Sequence, residues 1–370
     1  MRQSPGRVRD AIATFFEGQS GDARIKDIIR EVDDKIGGVS PSSIRSYLCN
    51  NTPGTFRRTG RGCYELSTND FIAASIEHQR MEPAFICEDT KLYKSDCFSW
   101  LRGRQENSIH AVVTDPPYGL VEYSKKEQEK LRKGQGGVWR IPPSFDGHQR
   151  SPLPRFTTLT PNDHDNMSVF FLRWAKEIKR VLVPGAHIMV ASNPLLCQLV
   201  AAALAAGGLE ARGTIVRQVM TMRGGDRPKN AHIEFSDVSV MPRSMWEPWL
   251  LFRKPLEGRV QDNLRKWKTG GLRRPSDERP FGDVIKSHPT RVAERKIAQH
   301  PSLKPQAFLR QVVHAILPLG EGVVLDTFAG SGSTLAAAKA VGYESIGVEM
   351  DPEYIKVAKS AITKLSELEI

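Results

Sequence analysis

Two consecutive prolines, Pro116 and Pro117, follow Thr114-Asp115 at the end of the apolar run Ile109-His110-Ala111-Val112-Val113. Proline donates no hydrogen bond to a ladder and cannot continue a strand, so this run is a short buried strand that stops in a stiff loop. Within four positions the loop carries the Asp115 carboxylate, the Pro116 carbonyl and the Tyr118 ring. These are the parts needed to grip an amino group on a flat ring: two acceptors for its two hydrogens, and a face on which the ring stacks. The same residues also describe a proline-stiffened strand exit with no chemistry.

A second stretch narrows the choice. Val323-Val324-Leu325-Asp326-Thr327-Phe328-Ala329-Gly330-Ser331-Gly332-Ser333-Thr334-Leu335 reads as a strand, a glycine turn and a helix running from Leu335 to Val341, capped by Ser333 or Thr334. Glycines there let backbone approach a ligand and leave helix N–H groups facing it. A dinucleotide site wants a further glycine three residues after Gly332, but Leu335 stands there. A second strand, Ser345-Ile346-Gly347-Val348, ends in Glu349, an acid placed to hold ribose hydroxyls. The ligand read from these residues is a nucleoside without a pyrophosphate, and S-adenosylmethionine (SAM) fits.

With Asp115-Pro116-Pro117-Tyr118, then His300-Pro301-Ser302-Leu303-Lys304-Pro305, then Asp326 through Gly332 in that order, the chain resembles the SAM-dependent amino methyltransferases of DNA in their β-type motif order. The resemblance spans roughly residues 88–365. It departs from the family at Thr327, where proline is usual, and at Ser333, where threonine is common. It implies an α/β fold: a circularly permuted Rossmann-like methyltransferase sheet with helices on both faces. It also implies that Asp96 and Cys97 lie at the cofactor's adenine, with Met350 beside Glu349 at the sugar, and that Lys304 and Pro305 lie at the methionine end. Asp115, Phe328, Ala329, Ser331, Ser333 and Thr334 complete the expected SAM site. Tyr118 and the two prolines join Asp115 as catalytic residues, and Glu247 resembles an acid the family places near the target pocket. The implied reaction methylates N6 of a flipped adenine in double-stranded DNA, with N4 of cytosine as the alternative. A DNA-binding regulator with a vestigial cofactor fold is the competing non-enzyme reading.

Charge supports a polyanionic partner. The net charge is +11, and residues 211–300 hold 19 Lys plus Arg against 10 Asp plus Glu. Residues 256–300 are expected to be the target-recognition region, with Arg265, Lys266, Lys268, Arg273 and Arg274 on DNA. The five cysteines, at positions 49, 63, 87, 97 and 197, lack metal-ligand spacing, so neither a disulfide framework nor a metal site is expected. No secretory leader or membrane-length apolar run is legible, which places the protein in the cytoplasm, at the nucleoid. The resemblance leaves a homodimer and a cognate restriction nuclease open as further partners.

Residues 1–70 read as a separate module. Apolar faces on Val8–Phe16, Ile25–Val32 and Ile44–Leu48 give three helices, and Phe56–Leu66 gives a hairpin turning at Gly60–Gly62. This resembles a winged helix-turn-helix, with Arg57, Arg58 and Arg61 on phosphates. Residues 71–90 are a linker, 91–370 the methyltransferase domain, and 120–166 a mobile loop in which Trp139 or Phe145 fills the gap left by the flipped base. An amphipathic helix spans 169–182 and ends at Pro184-Gly185, and later strands are expected over 186–191, 216–222 and 249–253.

Overall fold

The computed structural model describes residues 11–12, 15–16, 22–50, 56–60, 62–66, 81–117, 144–145, 148–149, 161–219, 225, 227–228, 230–298, 300 and 303–370. The chain divides into two compact units, Met1–Arg80 and Met81–Ile370.

In the first unit β1 (Ala23–Arg24), α1 (Ile25–Ile36), α2 (Pro41–Asn50), β2 (Phe56–Gly60) and β3 (Cys63–Leu66) follow in order. Among the described residues the three strands form one sheet in the order β1-β3-β2. Ile28 and Val32 of α1, Ile44 and Leu48 of α2, and Phe56 and Tyr64 of the hairpin close one core with Ile12 and Phe16. The helix expected over Val8–Phe16 lies partly outside the described residues, as do Arg61 and the side chain of Arg57.

The second unit is built on one mixed sheet. In chain order its elements are β4 (Phe85–Cys87), β5 (Thr90–Lys94), α3 (Cys97–Arg102), β6 (Ile109–Thr114), β7 (Ser144–Phe145), β8 (His148–Gln149), α4 (Pro161–Val181), β9 (Leu182–Ala191) and α5 (Cys197–Ala206). Then come β10 (Glu210–Gln218), β11 (Trp246–Arg253), α6 (Val260–Trp267), β12 (Val284–Lys286), α7 (Val292–Ile297), α8 (Gln306–Ile316), β13 (Val323–Asp326), α9 (Ser333–Ala340), β14 (Glu344–Glu349) and α10 (Pro352–Ser366). Among the described residues nine of these strands pair in the order β12-β10-β11-β9-β6-β13-β14-β5-β4. Strands β9, β6, β13, β14 and β5 run parallel. The late strands β13 and β14 thus fill the space between β6 and β5.

Parallel strands bury both faces, which is why the runs at 109–114 and 186–191 are mostly apolar rather than alternating. Val112, Ile188, Val190 and Leu325 pack with Trp100 of α3, Trp174 and Ile178 of α4 and Leu204 of α5. Ala111, Val113, Met189, Ala191, Trp249 and Leu251 pack on the other face with Phe308, Leu309 and Val312 of α8.

Several boundaries differ from those expected. The long helix begins at Pro161, inside the stretch assigned to a loop, and ends at Val181. Pro184 and Gly185 do not stop it. They lie within β9, where Gly185 has φ +78 and the register to β6 shifts between Ile109 and Ala111. Gly332, with φ +81, occupies the N-cap of α9, so Ser333 and Thr334 belong to its first turn and do not cap it. Strand β4 forms within residues 71–90, assigned to a linker, because its ladder to β5 covers that sheet edge. The basic segment 256–300, expected to be irregular, contains α6, β12 and α7. Tyr118, Trp139 and most of the 120–166 loop lie outside the described residues.

Candidate active site

Strand direction decides which residues meet. The carboxyl ends of β5, β6, β13 and β14 carry Asp96, Asp115, the turn from Asp326 to Gly332, and Glu349. Because β11 runs antiparallel to β9 and β10 antiparallel to β11, Glu247 and Arg217 stand at the same end.

The two loops read in the sequence are tied together directly. Thr114 Oγ1 donates to Asp326 Oδ1 at 2.6 Å, across 212 residues of chain, and the Phe328 N–H donates to the same oxygen at 3.0 Å. Asp326 is 3% exposed, and burial pushes its carboxyl up to about 6 despite these bonds. Gly330 N–H donates to Glu349 Oε2 at 2.8 Å and Asp351 N–H to Glu349 Oε1 at 2.8 Å, so the acid of β14 clasps the glycine turn. Burial raises the Glu349 pKa against these bonds.

Asp115 does not stand alone. Lys304 Nζ lies 2.7 Å from Asp115 Oδ2 and 3.7 Å from Glu247 Oε2, and Arg217 Nη1 donates to Glu247 Oε2 at 3.1 Å. Trp249 Nε1 donates to the other Glu247 oxygen at 2.8 Å. Burial acts to lower the Lys304 pKa, but the carboxylates of Asp115 and Glu247 outweigh it and hold it above the ordinary lysine value. Burial likewise opposes ionisation of Glu247, and the charges of Lys304 and Arg217 overcome it, leaving that carboxyl below its usual range. His300 closes the group: a Cβ on Gly330 would come within 3.1 Å of its Nε2, and burial lowers its pKa.

Other expected residues take defined places. Asp96 is exposed and caps α3, accepting from Ser99 N–H at 3.0 Å. Cys97 is buried and its thiol is pushed up to about 12 by burial, so it stays neutral. Met350 is exposed beside Glu349. Phe328 lies 6.2 Å from Phe170, itself 5.3 Å from Phe98, in an aromatic layer that begins two residues on from Asp96. Trp174 Nε1 donates to Thr327 Oγ1 at 3.1 Å, a bond that proline could not accept there and that accounts for the departure at this position. Ser331 and Ser333 face each other at 3.4 Å. Pro305 is the N-cap residue of α8.

Arg265, Lys266, Lys268, Arg273 and Arg274 are not part of this group. Asn263 of α6 donates to the Pro184 carbonyl at 2.9 Å, at the start of β9, and Arg273 donates to the Tyr343 hydroxyl at 2.8 Å, just before β14. Both are the amino ends of parallel strands, so these basic residues sit at the far end of the sheet from Asp115. A charge count along the chain carries no information about strand direction. Arg217 and His300 were missed: Arg217 reads as one more basic residue, and His300 as the start of a motif rather than a neighbour of Gly330.

This chain belongs to the N6/N4 DNA methylase family, whose model matches residues 109–360. It is a DNA methyltransferase: DNA is its substrate and SAM its cofactor. The type II methyltransferase M.HindIII of Haemophilus influenzae is 23% identical over 294 residues, covering 72% of this chain and 93% of that protein. The solved cytosine-N4-specific PvuII DNA methyltransferase shares the fold at a TM-score of 0.50 and 14% identity, over 78% of this chain and 90% of its own. The complex of M1.HpyAVI with SAM aligns with a TM-score of 0.43 and 17% identity, over 74% and 99%. The residues at the carboxyl ends of β13 and β14 fit SAM: a turn whose glycines adopt φ +51 and +81, the amino end of α9, and an acid on the next strand. No helix among the described residues is long and apolar enough to cross a membrane.

Proposed function

We propose that the chain methylates N6 of an adenine flipped out of duplex DNA at specific sites, with Asp115, Pro116, Pro117 and Tyr118 as the amine-binding loop. The observation that carries this is the Thr114–Asp326 bond at 2.6 Å between parallel neighbours, since it sets Asp115 beside the glycine turn. An exocyclic amine is a poor nucleophile because its lone pair is delocalised into the ring. Asp115 and the Pro116 carbonyl accept its two N–H groups, draw the nitrogen towards a tetrahedral shape and steady the positive charge as it forms. SAM supplies the electrophilic methyl group; the amine nitrogen gains that methyl and sheds one proton.

Lys304 shares Asp115 with the incoming amine. Glu349, the 328–334 turn, Asp96 and Cys97 are the proposed cofactor contacts, with Lys304 and Pro305 at the methionine end and Met350 at the sugar. The neighbouring late and early strands support a β-type permuted sheet. The order β1-α1-α2-β2-β3 and the exposed Arg58 support a winged-helix module that grips phosphates.

The test is incubation of the full chain with labelled SAM and double-stranded DNA, followed by nucleoside analysis. Label in N6-methyladenine is expected. Label in N4-methylcytosine replaces the adenine assignment, a substrate class that the PvuII likeness makes the natural second reading. No label in any DNA overturns the proposal.

A further inference from the structure

We infer that Asn193 is a specificity-determining residue: its side-chain amide donates to the ring nitrogen adjacent to the target amine. The inference deepens the reading of Asp115 as the amine's acceptor and rests on it.

Strand pairing brings Asn193 to the group. Ser192 N–H donates to the Pro248 carbonyl at 2.8 Å, so β9 and β11 stay paired one residue past the end of β9. Successive side chains alternate across a sheet. Ala111, Val113, Met189, Ala191, Ile215, Trp249 and Leu251 share the face packed against α8. Continuing each strand by two positions puts Asp115, Asn193, Arg217 and Glu247 on that face, at one end. β9 lies between β6 and β11, so Asn193 follows the strand that separates Asp115 from Glu247.

Its conformation is fixed from one side only. Asn193 Oδ1 accepts from Leu195 N–H at 2.8 Å, and its carbonyl accepts from Leu196 and Cys197 N–H at 3.0 and 2.8 Å, starting α5. The residue is 2% exposed, and its Nδ2 is buried without a hydrogen-bond partner among the described residues. A cap alone needs the oxygen, and aspartate supplies one without burying an unpaired donor at a cost.

A carboxylate acceptor with an amide donor near it is the complement of an amine beside an unprotonated ring nitrogen. Adenine offers that pair as N6 and N1, and cytosine as N4 and N3. On the Watson–Crick edge guanine carries N1–H beside its amine, and thymine has no amine and carries N3–H, so a site built around a buried donor rejects both in that orientation because the donor stays unpaired.

The experiment uses the full chain and duplexes carrying its own target site, located by mapping methyl groups on plasmid DNA. The target base is either natural or its deaza analogue, in which C–H replaces the ring nitrogen: 1-deazaadenine, or 3-deazacytosine if cytosine is the target. Wild type should lose about 10-fold to 100-fold in kcat/KM on the analogue. Asn193→Asp, which keeps an oxygen for Leu195 N–H, and Asn193→Ala, which has no side-chain donor, should lose a similar factor on the natural base and show no further loss on the analogue. Equal wild-type efficiency on both bases, or variants that discriminate between them as wild type does, overturns the inference. Asp115→Ala is the separate arm for the underlying reading: loss of activity on both bases upholds it, and full activity overturns it together with the role of Asn193.

Discussion

Asp326 is folded into the parallel half of the sheet, and its carboxyl titrates at about 6 because burial outweighs the bonds it accepts. Its folded pKa lies above the ordinary value of 3.8, so the folded chain holds this proton more tightly than the unfolded one. That contribution is complete below about 3.8 and is lost as pH rises through about 6. Asp326→Asn keeps an oxygen for Thr114 and Phe328 but has no charge to bury. Its stability relative to wild type should therefore rise by about 2.5 kcal/mol between about pH 4 and pH 8, measured by urea unfolding at several pH values. Lys304 is the opposite case, a largely buried cation between two carboxylates. Lys304→Met leaves the half-buried Asp115 without that cation and should cost about 2 kcal/mol in the same assay, because a largely desolvated charge stripped of its counterion is destabilising. A variant as stable as wild type would show that the pair is not formed in solution.

At the scale of elements, the turn between β13 and α9 is a tight joint in the sheet. Gly332 has φ +81, and a Cβ there would lie 2.6 Å from Ile362 Cγ1 of α10. Gly332→Ala should cost about 2 kcal/mol or more from backbone strain and overlap, seen as a lower urea midpoint, and should weaken SAM binding in calorimetry. This joint was legible in the sequence because glycine spacing reports local backbone shape, and so were the strands at 109–114 and 323–326, whose apolar runs report burial on both faces. The fate of Pro184-Gly185 was not, because the same dipeptide ends a helix or kinks a strand and only the pairing of β9 with β6 decides. The Lys304–Glu247–Arg217 chain was equally hidden. Its members come from the approach to α8, from β11 and from β10, and ion pairs between distant segments leave no period in a sequence.

At the scale of the whole molecule, the basic residues of α6 lie apart from the chemistry. Exchanging Arg265, Lys266 and Lys268 for alanine together should change the methylation rate less than about two-fold, since α6 lies at the amino ends of the strands while Asp115 lies at the carboxyl ends; a loss of about ten-fold or more would show that DNA reaches both ends. Exchanging Arg57, Arg58 and Arg61 should instead flatten the salt dependence of DNA binding, with the slope of log affinity against log salt falling by roughly one for each phosphate no longer neutralised. A filter-binding titration across salt concentrations reads this, and an unchanged slope would remove the first unit from the DNA-binding surface.

The sheet order also bears on how the protein is made. β6 meets β13 through Ala111 and Val324, while β5 meets β14 through Thr90 and Ser345. During synthesis β5 and β6 therefore leave the ribosome long before the strands that lie between them. Until those strands arrive, each has a bare edge, and bare edges invite pairing with another chain. The nascent protein passes most of its translation with its sheet open, and closes it only when the carboxyl-terminal segment emerges.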